Sequence, residues 1–359
     1  MRILHTSDWH LGQHFMGKSR QAEHQALIAW LLAQVEEQAV DAVLIAGDIF
    51  DSGTPPSYAR ELYSQLVVRL HEAGVALLLL GGNHDSVATL GESRDLLARL
   101  GATVVAAASD DAEAQVVVLP QRNGEPGCIV CAIPFIRPRD VLQSQAGQSA
   151  EDKQLSLQTA IQAHYSAVFA AASARQAALA SQLGRKLPLI ATGHLTTVGA
   201  STSESVREIY VGALEAFPTT AFPPADYIAL GHIHRPQKVG GQENIRYCGS
   251  PLPLSFDEAR QQKEVLLVDL NAEGLQAVTA LPVPRFQGLA SITGNLATLA
   301  GPIGAAAAEG TRERPTWLEV TVADDDSHVH AYQRADIARH LAVGAHDLDL
   351  LPRGCERRG

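Results

Sequence analysis

The sequence predicts an α/β domain in which central β-sheets lie between layers of helices, followed by a small α+β domain. Strand-like and helix-like segments alternate from the first residues to about residue 230, which is typical of parallel sheets covered by helices. Several strand-like segments are apolar throughout, as central strands buried on both faces are. Beyond about residue 240 the alternation gives way to strand-like segments with glycine-containing turns.

The elements of the larger domain follow from apolar spacing. We predict strands at residues 2–5, 42–46, 75–80, 103–106, 115–119, 128–135, 187–192 and 227–230. We predict helices at residues 19–39, 89–100 and 150–183, and another that Pro55 and Pro56 open and Gly74 ends. The helix at 150–183 is rich in alanine and glutamine, and we expect it to be peripheral.

The pattern after residue 240 predicts antiparallel strands at 238–239, 245–248 and 264–270, then a linker at 281–284. We therefore place one domain at residues 1–280 and a second at 285–359. In the second domain, residues 301–310 are expected to form a loop and residues 330–342 a helix, before a short apolar stretch at 348–351.

Composition limits the class of protein. No apolar segment reaches the roughly 18–20 residues that cross a bilayer, so we expect no membrane anchor. Four cysteines in 359 residues favour a reducing cytoplasm over a disulfide scaffold. Cys128 and Cys131 are expected to be core residues on opposite faces of one strand. The net charge of −11 argues against nonspecific wrapping of nucleic acid, although it permits a local basic surface.

Five predicted strands end in residue types that commonly bind metals in proteins. In chain order these ends are Asp8-Trp9-His10, Gly47-Asp48, Gly82-Asn83-His84-Asp85, Gly193-His194 and Gly231-His232-Ile233-His234. The carboxyl ends of parallel strands meet at one edge of a sheet, so we expect these side chains to converge. Mixed oxygen and imidazole donors suit Mn²⁺, Fe²⁺ or Zn²⁺. Seven candidate ligands are too many for one ion and suit two ions that share a carboxylate.

This ordered set resembles the calcineurin-like metallophosphoesterase superfamily, whose motifs are D-x-H, G-D, G-N-H-D/E, G-H and G-H-x-H. Other stretches, among them HTSDWHLGQ, GNHDSVATLGESRD, FIRPRD, ATGHLTTVGAS and RYCGSPLPLSFDE, resemble the SbcD family of bacterial nuclease subunits within it. The resemblance extends from residue 1 to about residue 285. It implies a layered sandwich of β-sheets flanked by helices, with a small capping domain after it.

The resemblance also implies roles for single residues. Asp8, His10 and His234 would bind one divalent ion, most readily Mn²⁺; Asn83, His194 and His232 would bind a second; and Asp48 would bridge both. His84 would face the scissile phosphate as a stabiliser or general acid, with Asp85 as its orienting partner. Arg137 and Arg139 of FIRPRD are candidates for contact with a DNA backbone.

The function implied is that of a nuclease for DNA repair, replication and recombination. It would act as an exonuclease on double-stranded ends and as an endonuclease on single-stranded or hairpin DNA. Its partner would be an SbcC-type ATPase, with a homodimer of this chain inside a heterotetramer. The last residues, PRGCERRG, contain no amphipathic repeat long enough for a docking helix, so we expect a shortened capping domain and weak assembly with the ATPase.

Two other functions fit the same motifs, and one motif points elsewhere. A phosphomonoesterase or cyclic-nucleotide phosphodiesterase would use the same metals, and a non-catalytic module would only bind DNA ends. Residues 12–19, GQHFMGKS, match a phosphate-binding P-loop pattern. A P-loop should follow its strand directly, however, and here residues 6–11 intervene. We therefore expect no direct ATP binding at Lys18.

Overall fold

The computed structural model describes residues 1–142, 149–206, 216–295, 298–311 and 314–322. They belong to two compact units, Met1–Pro284 and a second that begins at Arg285. None of the helices in these ranges is both long and apolar enough to span a membrane. The helix expected at residues 330–342 and the apolar stretch at 348–351 lie outside the described residues.

The strands of the first unit, in chain order, are β1 (Arg2–Thr6), β2 (His14–Phe15), β3 (Lys18–Ser19), β4 (Ala42–Ala46), β5 (Ala76–Leu80), β6 (Ala102–Val105), β7 (Val116–Pro120), β8 (Pro126–Cys131), β9 (Leu189–His194), β10 (Tyr227–Gly231), β11 (Gln237–Val239), β12 (Gln242–Tyr247), β13 (Glu264–Asn271) and β14 (Gly274–Pro282). Its α-helices are α1 (Gln21–Glu37), α2 (Ser57–Glu72), α3 (Val87–Gly91), α4 (Arg94–Arg99), α5 (Pro138–Val141) and α6 (Ala150–Leu183). Short 3-10 helices occur at Ala112–Gln115, Thr219–Ala221 and Phe256–Glu258.

Two six-stranded sheets form the centre of this unit. The first has the order β14-β13-β1-β4-β5-β6, and the second has the order β11-β12-β10-β9-β8-β7. Strands β1, β4, β5 and β6 run parallel in the first sheet. Strands β8, β9, β10 and β12 run parallel in the second. Each sheet therefore gathers the carboxyl ends of several strands at one edge.

The two sheets pack face to face through a buried apolar layer. Leu44 and Leu78 of the first sheet belong to the same core cluster as Val130, Ile190 and Ala229 of the second. Helices α1 and α2 pack together, and α2 contacts β5. Helix α6 contacts β8 and β9. The unit is thus a sandwich of two sheets between helical layers, and the predicted fold class is confirmed.

Helix α6 has the predicted bounds but is not peripheral. Its residues Leu157, Ile161 and Tyr165 belong to the core cluster on the outer face of the second sheet. Tyr165 donates a hydrogen bond of 2.9 Å from its hydroxyl to the carbonyl oxygen of Thr192. The helical spacing of the large apolar residues was not evident from the sequence, because many alanines lie between them.

Three other predictions about local structure need correction. The helix expected at 89–100 is two short helices, α3 and α4, which Glu92 and Ser93 separate after Gly91, a residue that weakens helix propagation. Strand β12 pairs antiparallel with β11, as expected, but it is parallel to β10 on its other side. The linker expected at 281–284 begins inside β14.

The second unit contains strands β15 (Leu289–Gly294) and β16 (Trp317–Val322), which pair in parallel, and helix α7 (Ala300–Ala308). Residues 301–310 were expected to be a loop, so helix α7 is a correction. Pro302 is tolerated in the first turn, and the following alanines favour helix. Ile303 and Leu299 anchor the segment because they are buried against apolar residues of both strands.

The cysteine prediction is confirmed. Cys128, Cys131 and Cys248 are free and buried. Cys128 belongs to the cluster between the sheets, whereas Cys131 belongs to the cluster under α6. Residues three apart in a strand point to opposite faces, so the C-x-x-C spacing here does not make a metal site.

Candidate metal centre

The carboxyl ends of five strands converge on one buried site between the two sheets. Three sets of side chains there have ligand atoms within 4.8 Å of one another: Asp8, His10 and His234; His10, Asp48 and His84; and Asp48, His194 and His232. The strands β1, β4, β5, β9 and β10 end immediately before or at these residues. The structure therefore brings together the candidates that lay far apart in the sequence.

The first group joins the loop after β1 to the loop after β10. The rings of His10 and His234 lie 5.4 Å apart, nearly perpendicular. The carboxylate of Asp8 accepts hydrogen bonds from the amide of His232 at 2.9 Å and 3.1 Å. The hydroxyl of Ser7 also donates to this carboxylate, at 2.5 Å. Asp8 is thus held in place by its neighbours while remaining close to both imidazoles.

The set that contains His194 and His232 surrounds the side-chain oxygen of Asn83. This oxygen lies 2.9 Å from Nε2 of His194 and 3.1 Å from Nδ1 of His232. One carboxylate oxygen of Asp48 lies 3.2 Å from Nε2 of His194 and 3.7 Å from Nε2 of His10. Asp48 therefore lies within reach of both groups.

Glycines permit this close approach of the two sheets. A β-carbon at Gly231 would lie 1.9 Å from the carbonyl oxygen of Ala46, and one at Gly47 would lie 2.2 Å from Nδ1 of His194. A β-carbon at Gly82 would lie 2.1 Å from a carboxylate oxygen of Asp48. Any larger residue at these positions would displace a candidate ligand or separate the strands that carry it.

The candidate ligands are also held in strained backbone conformations. Asp8, His10, Asp48 and His232 have φ angles of 55°, 47°, 50° and 91°, a region that residues with side chains rarely adopt. Backbone hydrogen bonds of 3.0 Å from the amide of Asp8 to the carbonyl of Gly47, and from the amide of His10 to that of Asp48, hold two of them. Such strain costs of order 1–3 kcal/mol per residue and is concentrated at functional sites.

The electrostatics of the site favour cations. Burial would raise the pKa of Asp48, but the neighbouring His194, His10 and other imidazole groups outweigh it and hold that pKa well below its usual value. Burial lowers the pKa of His194, yet the Asp48 carboxylate outweighs it and raises that pKa to about 9. A divalent ion here would take the place of the His194 proton, so we expect metal binding to release protons.

The donor set fits divalent ions. Nε2 of His10 and Nε2 of His232 are buried without a hydrogen-bond partner in the described part of the chain, which is costly unless such an atom serves another purpose. Donors about 2.1 Å from one ion and at right angles lie about 3 Å apart, similar to the spacing of the Asn83, His194 and Asp48 atoms. Imidazole and oxygen donors without thiolates suit Mn²⁺, Fe²⁺ and Zn²⁺.

His84 lies at the rim of the site and is half-buried. Its amide donates to the Asp48 carboxylate at 2.9 Å, and its Nδ1 lies 2.8 Å from the carbonyl oxygen of Asp51. A carbonyl only accepts, so Nδ1 is the protonated nitrogen that donates to it. The ring contacts that of His10 edge-on, with centroids 4.6 Å apart.

Asp85 has a different position from the one expected. Its carboxylate accepts hydrogen bonds from the backbone amides of Ile49, Phe50 and Gly82, at 2.9–3.2 Å. Burial, together with the nearby Asp48 carboxylate, raises the pKa of Asp85 to about 6. Asp85 therefore ties the turn after β5 to the loop after β4, whereas the carbonyl of Asp51 lies at Nδ1 of His84.

The two arginines of FIRPRD have different environments. Arg137 donates to the carbonyl oxygen of Asp85 at 3.2 Å, and its guanidinium lies over the ring of Phe135 at 5.5 Å. Arg139 has 78% of its side chain exposed and lies 3.8 Å from the carboxylate of Asp140. Arg137 thus supports the turn that carries His84, and Arg139 remains the more accessible cation.

Sequence reasoning missed the side chains that hold the candidate ligands. A carboxylate oxygen of Asp51 lies 3.2 Å from Nδ1 of His10. Ser205 and Glu258 lie beside Nδ1 of His234, at 2.6 Å and 3.4 Å. Asp51 could have been suspected because it follows Gly47-Asp48 by three residues. No local pattern marks Ser205 or Glu258, which reach His234 only through the tertiary fold.

Residues 12–19 do not form a phosphate-binding loop. His14–Phe15 and Lys18–Ser19 pair as an antiparallel hairpin, with Met16 and Gly17 in its turn. Phe15 packs edge-on against Phe256, with ring centroids 5.0 Å apart. The match to the P-loop pattern is therefore coincidental.

Comparisons with known proteins cover the whole candidate site. The family model for calcineurin-like phosphoesterases matches residues 1–236. The SbcD subunit of the nuclease SbcCD from Escherichia coli (strain K12) is 51% identical over 334 residues, which are 93% of this chain and 80% of that protein.

Two more distant relatives carry the same description. The SbcD subunit of Rhodobacter capsulatus is 39% identical over 295 residues, or 79% of this chain and 70% of that protein. The SbcD subunit of Bacillus subtilis (strain 168) is 29% identical over 272 residues, or 75% of this chain and 66% of that protein.

Proposed function

Because the chain belongs to the calcineurin-like phosphoesterases, and within them to the SbcD family of nuclease subunits, we propose that it is a metal-dependent DNA nuclease. It hydrolyses phosphodiester bonds at a site for two divalent ions, most readily Mn²⁺. It acts as an exonuclease on double-stranded ends and as an endonuclease on single-stranded or hairpin DNA. Its roles are in DNA repair, replication and recombination, and the compartment these imply is the cytoplasm.

One observation carries the proposal. A single oxygen of Asp48 lies within 3.2 Å of His194 and 3.7 Å of His10, while further imidazole and oxygen donors complete a group on either side. A structural carboxylate needs only hydrogen-bond donors. A carboxylate between two sets of metal-binding donors is the arrangement of a shared ligand in a two-metal phosphoesterase site.

The residues divide into two ligand sets around that carboxylate. Asp8, His10 and His234 would hold one ion, Asn83, His194 and His232 would hold the other, and Asp48 would bind both. Bound divalent ions would supply an activated water near neutral pH and offset negative charge on the phosphate. The burial of the ligands limits access of bulk water and strengthens every charge interaction in the site.

His84 would act on the substrate. Its Nδ1 faces the carbonyl oxygen of Asp51, so Nε2 is the ring nitrogen that would face the phosphate. As an imidazolium, protonated on both ring nitrogens, it would stabilise the phosphate oxygens or pass its Nε2 proton to the departing 3′-oxygen, a contribution of about 10²–10⁴ in rate. Asp85 would act indirectly, because its bonds to three amides fix the loops that carry Asp48 and His84.

DNA and a partner protein complete the proposal. Arg139 would contact a DNA phosphate, with Arg137 behind it supporting the His84 turn. Like the SbcD proteins that it resembles, the chain would act with an SbcC-type ATPase, as a homodimer within a heterotetramer. Residues 285–359 would form the capping domain of this nuclease.

The test compares three substrates with the same metal. We expect Mn²⁺-dependent cleavage of linear duplex DNA and of hairpin DNA, and much slower hydrolysis of a small aryl phosphate. A chelator should abolish all cleavage, and Asp48→Asn should reproduce the effect of the chelator. Rapid hydrolysis of the aryl phosphate with intact DNA would assign the site to a phosphomonoesterase instead. DNA binding without any cleavage would make the chain a non-catalytic module.

A further inference from the structure

A buried ion pair lies directly behind His234. Glu258 is fully buried and Lys263 is 3% exposed, and their charged groups are 2.6 Å apart. Burying two charges costs several kcal/mol, and an apolar pair of similar size is often at least as stable. The stability of the fold therefore does not explain why this ion pair is buried here. Its contacts with His234 indicate a different role.

This cluster contacts both the backbone carbonyl and the imidazole ring of His234. The ammonium group of Lys263 donates to the carbonyl oxygen of His234 at 2.9 Å and to the hydroxyl of Ser250 at 3.1 Å. The hydroxyl of Ser205 lies 2.6 Å from Nδ1 of His234 and 2.5 Å from a carboxylate oxygen of Glu258. Lys263 thus fixes the backbone of His234, and Glu258 reaches its ring through Ser205.

The direction of these hydrogen bonds follows from their chemistry. A lysine ammonium only donates, and the carboxylate paired with it only accepts. The hydroxyl of Ser205 and the carboxylate oxygen of Glu258 lie 2.5 Å apart, which requires a hydrogen between them, and only Ser205 has one to give. The oxygen of Ser205 can then only accept from His234, so the proton of the neutral imidazole is on Nδ1. The lone pair is therefore on Nε2, the nitrogen that remains for a metal ion.

We propose that Glu258, acting through Ser205 and positioned by Lys263, sets the tautomer and orientation of His234 and thereby the affinity of the ion position formed with Asp8 and His10. This inference rests on the proposed function. Glu258 and Ser205 are positioning residues, since neither faces the ion or the substrate. The other ion position has a different support, because Nδ1 of His194 lies 2.9 Å from the carbonyl oxygen of Ala46.

Glu258→Gln reverses the chain of hydrogen bonds without changing its shape. The amide oxygen of the glutamine must face the ammonium of Lys263, which leaves its NH₂ group facing Ser205. Ser205 then accepts from the glutamine and donates to Nδ1 of His234. That tautomer has its proton on Nε2 and cannot bind the ion without losing it. Partners of metal-binding histidines typically contribute about 10–100-fold to metal affinity.

The experiment is a Mn²⁺ titration of the full chain, in which binding is measured by calorimetry and by electron paramagnetic resonance. We expect Glu258→Gln and Ser205→Ala each to lower the affinity for one of the two ions by about 10–100-fold and to leave the affinity for the other nearly unchanged. Ser205→Thr keeps the hydroxyl and should restore both affinities. Asp257→Asn is the matched control, because this neighbouring exposed carboxylate contacts Ser255 and the amide of Glu204 instead.

The outcomes separate this inference from the proposed function. If the wild type binds two ions and folded Glu258→Gln and Ser205→Ala bind both with unchanged affinity, the positioning role is wrong and the nuclease proposal stands. Equal losses in Ser205→Thr and Ser205→Ala would also overturn it. If the wild type binds no Mn²⁺, both proposals fail. Ser205→Ala leaves the buried ion pair intact. If Glu258→Gln does not fold, the Mn²⁺ affinities of Ser205→Ala therefore test the positioning role.

Discussion

Gly231→Ala should separate the two halves of the metal centre. The added β-carbon would lie 1.9 Å from the carbonyl oxygen of Ala46. A carbon–oxygen contact is normally about 3.4 Å, so β4 and β10 must move apart by about 1.5 Å. Metal–ligand distances tolerate only about 0.2 Å. The strands that carry Asp48 and His232 can therefore no longer serve shared ions, whereas the overpacked core loses about 1–3 kcal/mol.

The assay for Gly231→Ala combines metal content, cleavage of hairpin DNA and thermal unfolding. We expect the folded variant to lose at least one Mn²⁺ and about 100-fold or more of its cleavage rate. Gly91→Ala is the control, because a β-carbon there meets nothing within 4 Å, and both readouts should match the wild type. Two ions bound to Gly231→Ala with wild-type affinity would show that close approach of the sheets does not build the site.

Three further predictions follow from the geometry. His84→Ala should keep two Mn²⁺ per chain and lose about 10²–10⁴ in cleavage rate, whereas Asp48→Ala should lose at least one ion; equal metal loss in both would disprove the role of His84. Burial lowers the pKa of His24 to about 3, so the unfolded chain binds more protons below about pH 6.5 and stability falls as the pH is lowered. In chelator, His24→Leu should reduce the loss of unfolding free energy between pH 8 and pH 5 by about 2 kcal/mol, and an unchanged pH dependence would contradict a neutral buried His24. Arg139→Ala should reduce the slope of log affinity for DNA against log salt by about one, while Arg137→Ala should mainly slow cleavage; an unchanged slope in Arg139→Ala would remove it from the DNA surface.

The convergence of the site could be predicted because it depends on local rules. Asp8, Asp48 and His194 each follow or end an apolar strand. Parallel strands place such residues at one edge of the sheet, and this placement does not depend on the conformation of the loops. The two faces of β8 followed in the same way from alternation, which sends Cys128 and Cys131 into different core layers. These predictions needed only periodicity and strand order.

Other features could not be predicted because they depend on contacts between distant elements. Glu258 lies 24 residues after His234 and meets it only because the 3-10 helix at Phe256–Glu258 packs behind the loop that follows β10. The left-handed backbone of Asp8 is imposed by hydrogen bonds to the neighbouring loop after β4. Helix α7 forms because Ile303 finds an apolar surface on β15 and β16, which composition alone does not reveal.

We expect the carboxylate of Asp48 to organise two ions between the sheets. An anomalous difference map from crystals of the full chain grown with Mn²⁺ would locate these ions. We expect two peaks on either side of Asp48, one beside His10 and His234 and the other beside His194 and His232. A single peak, peaks distant from Asp48, or no peak at saturating Mn²⁺ would contradict this arrangement.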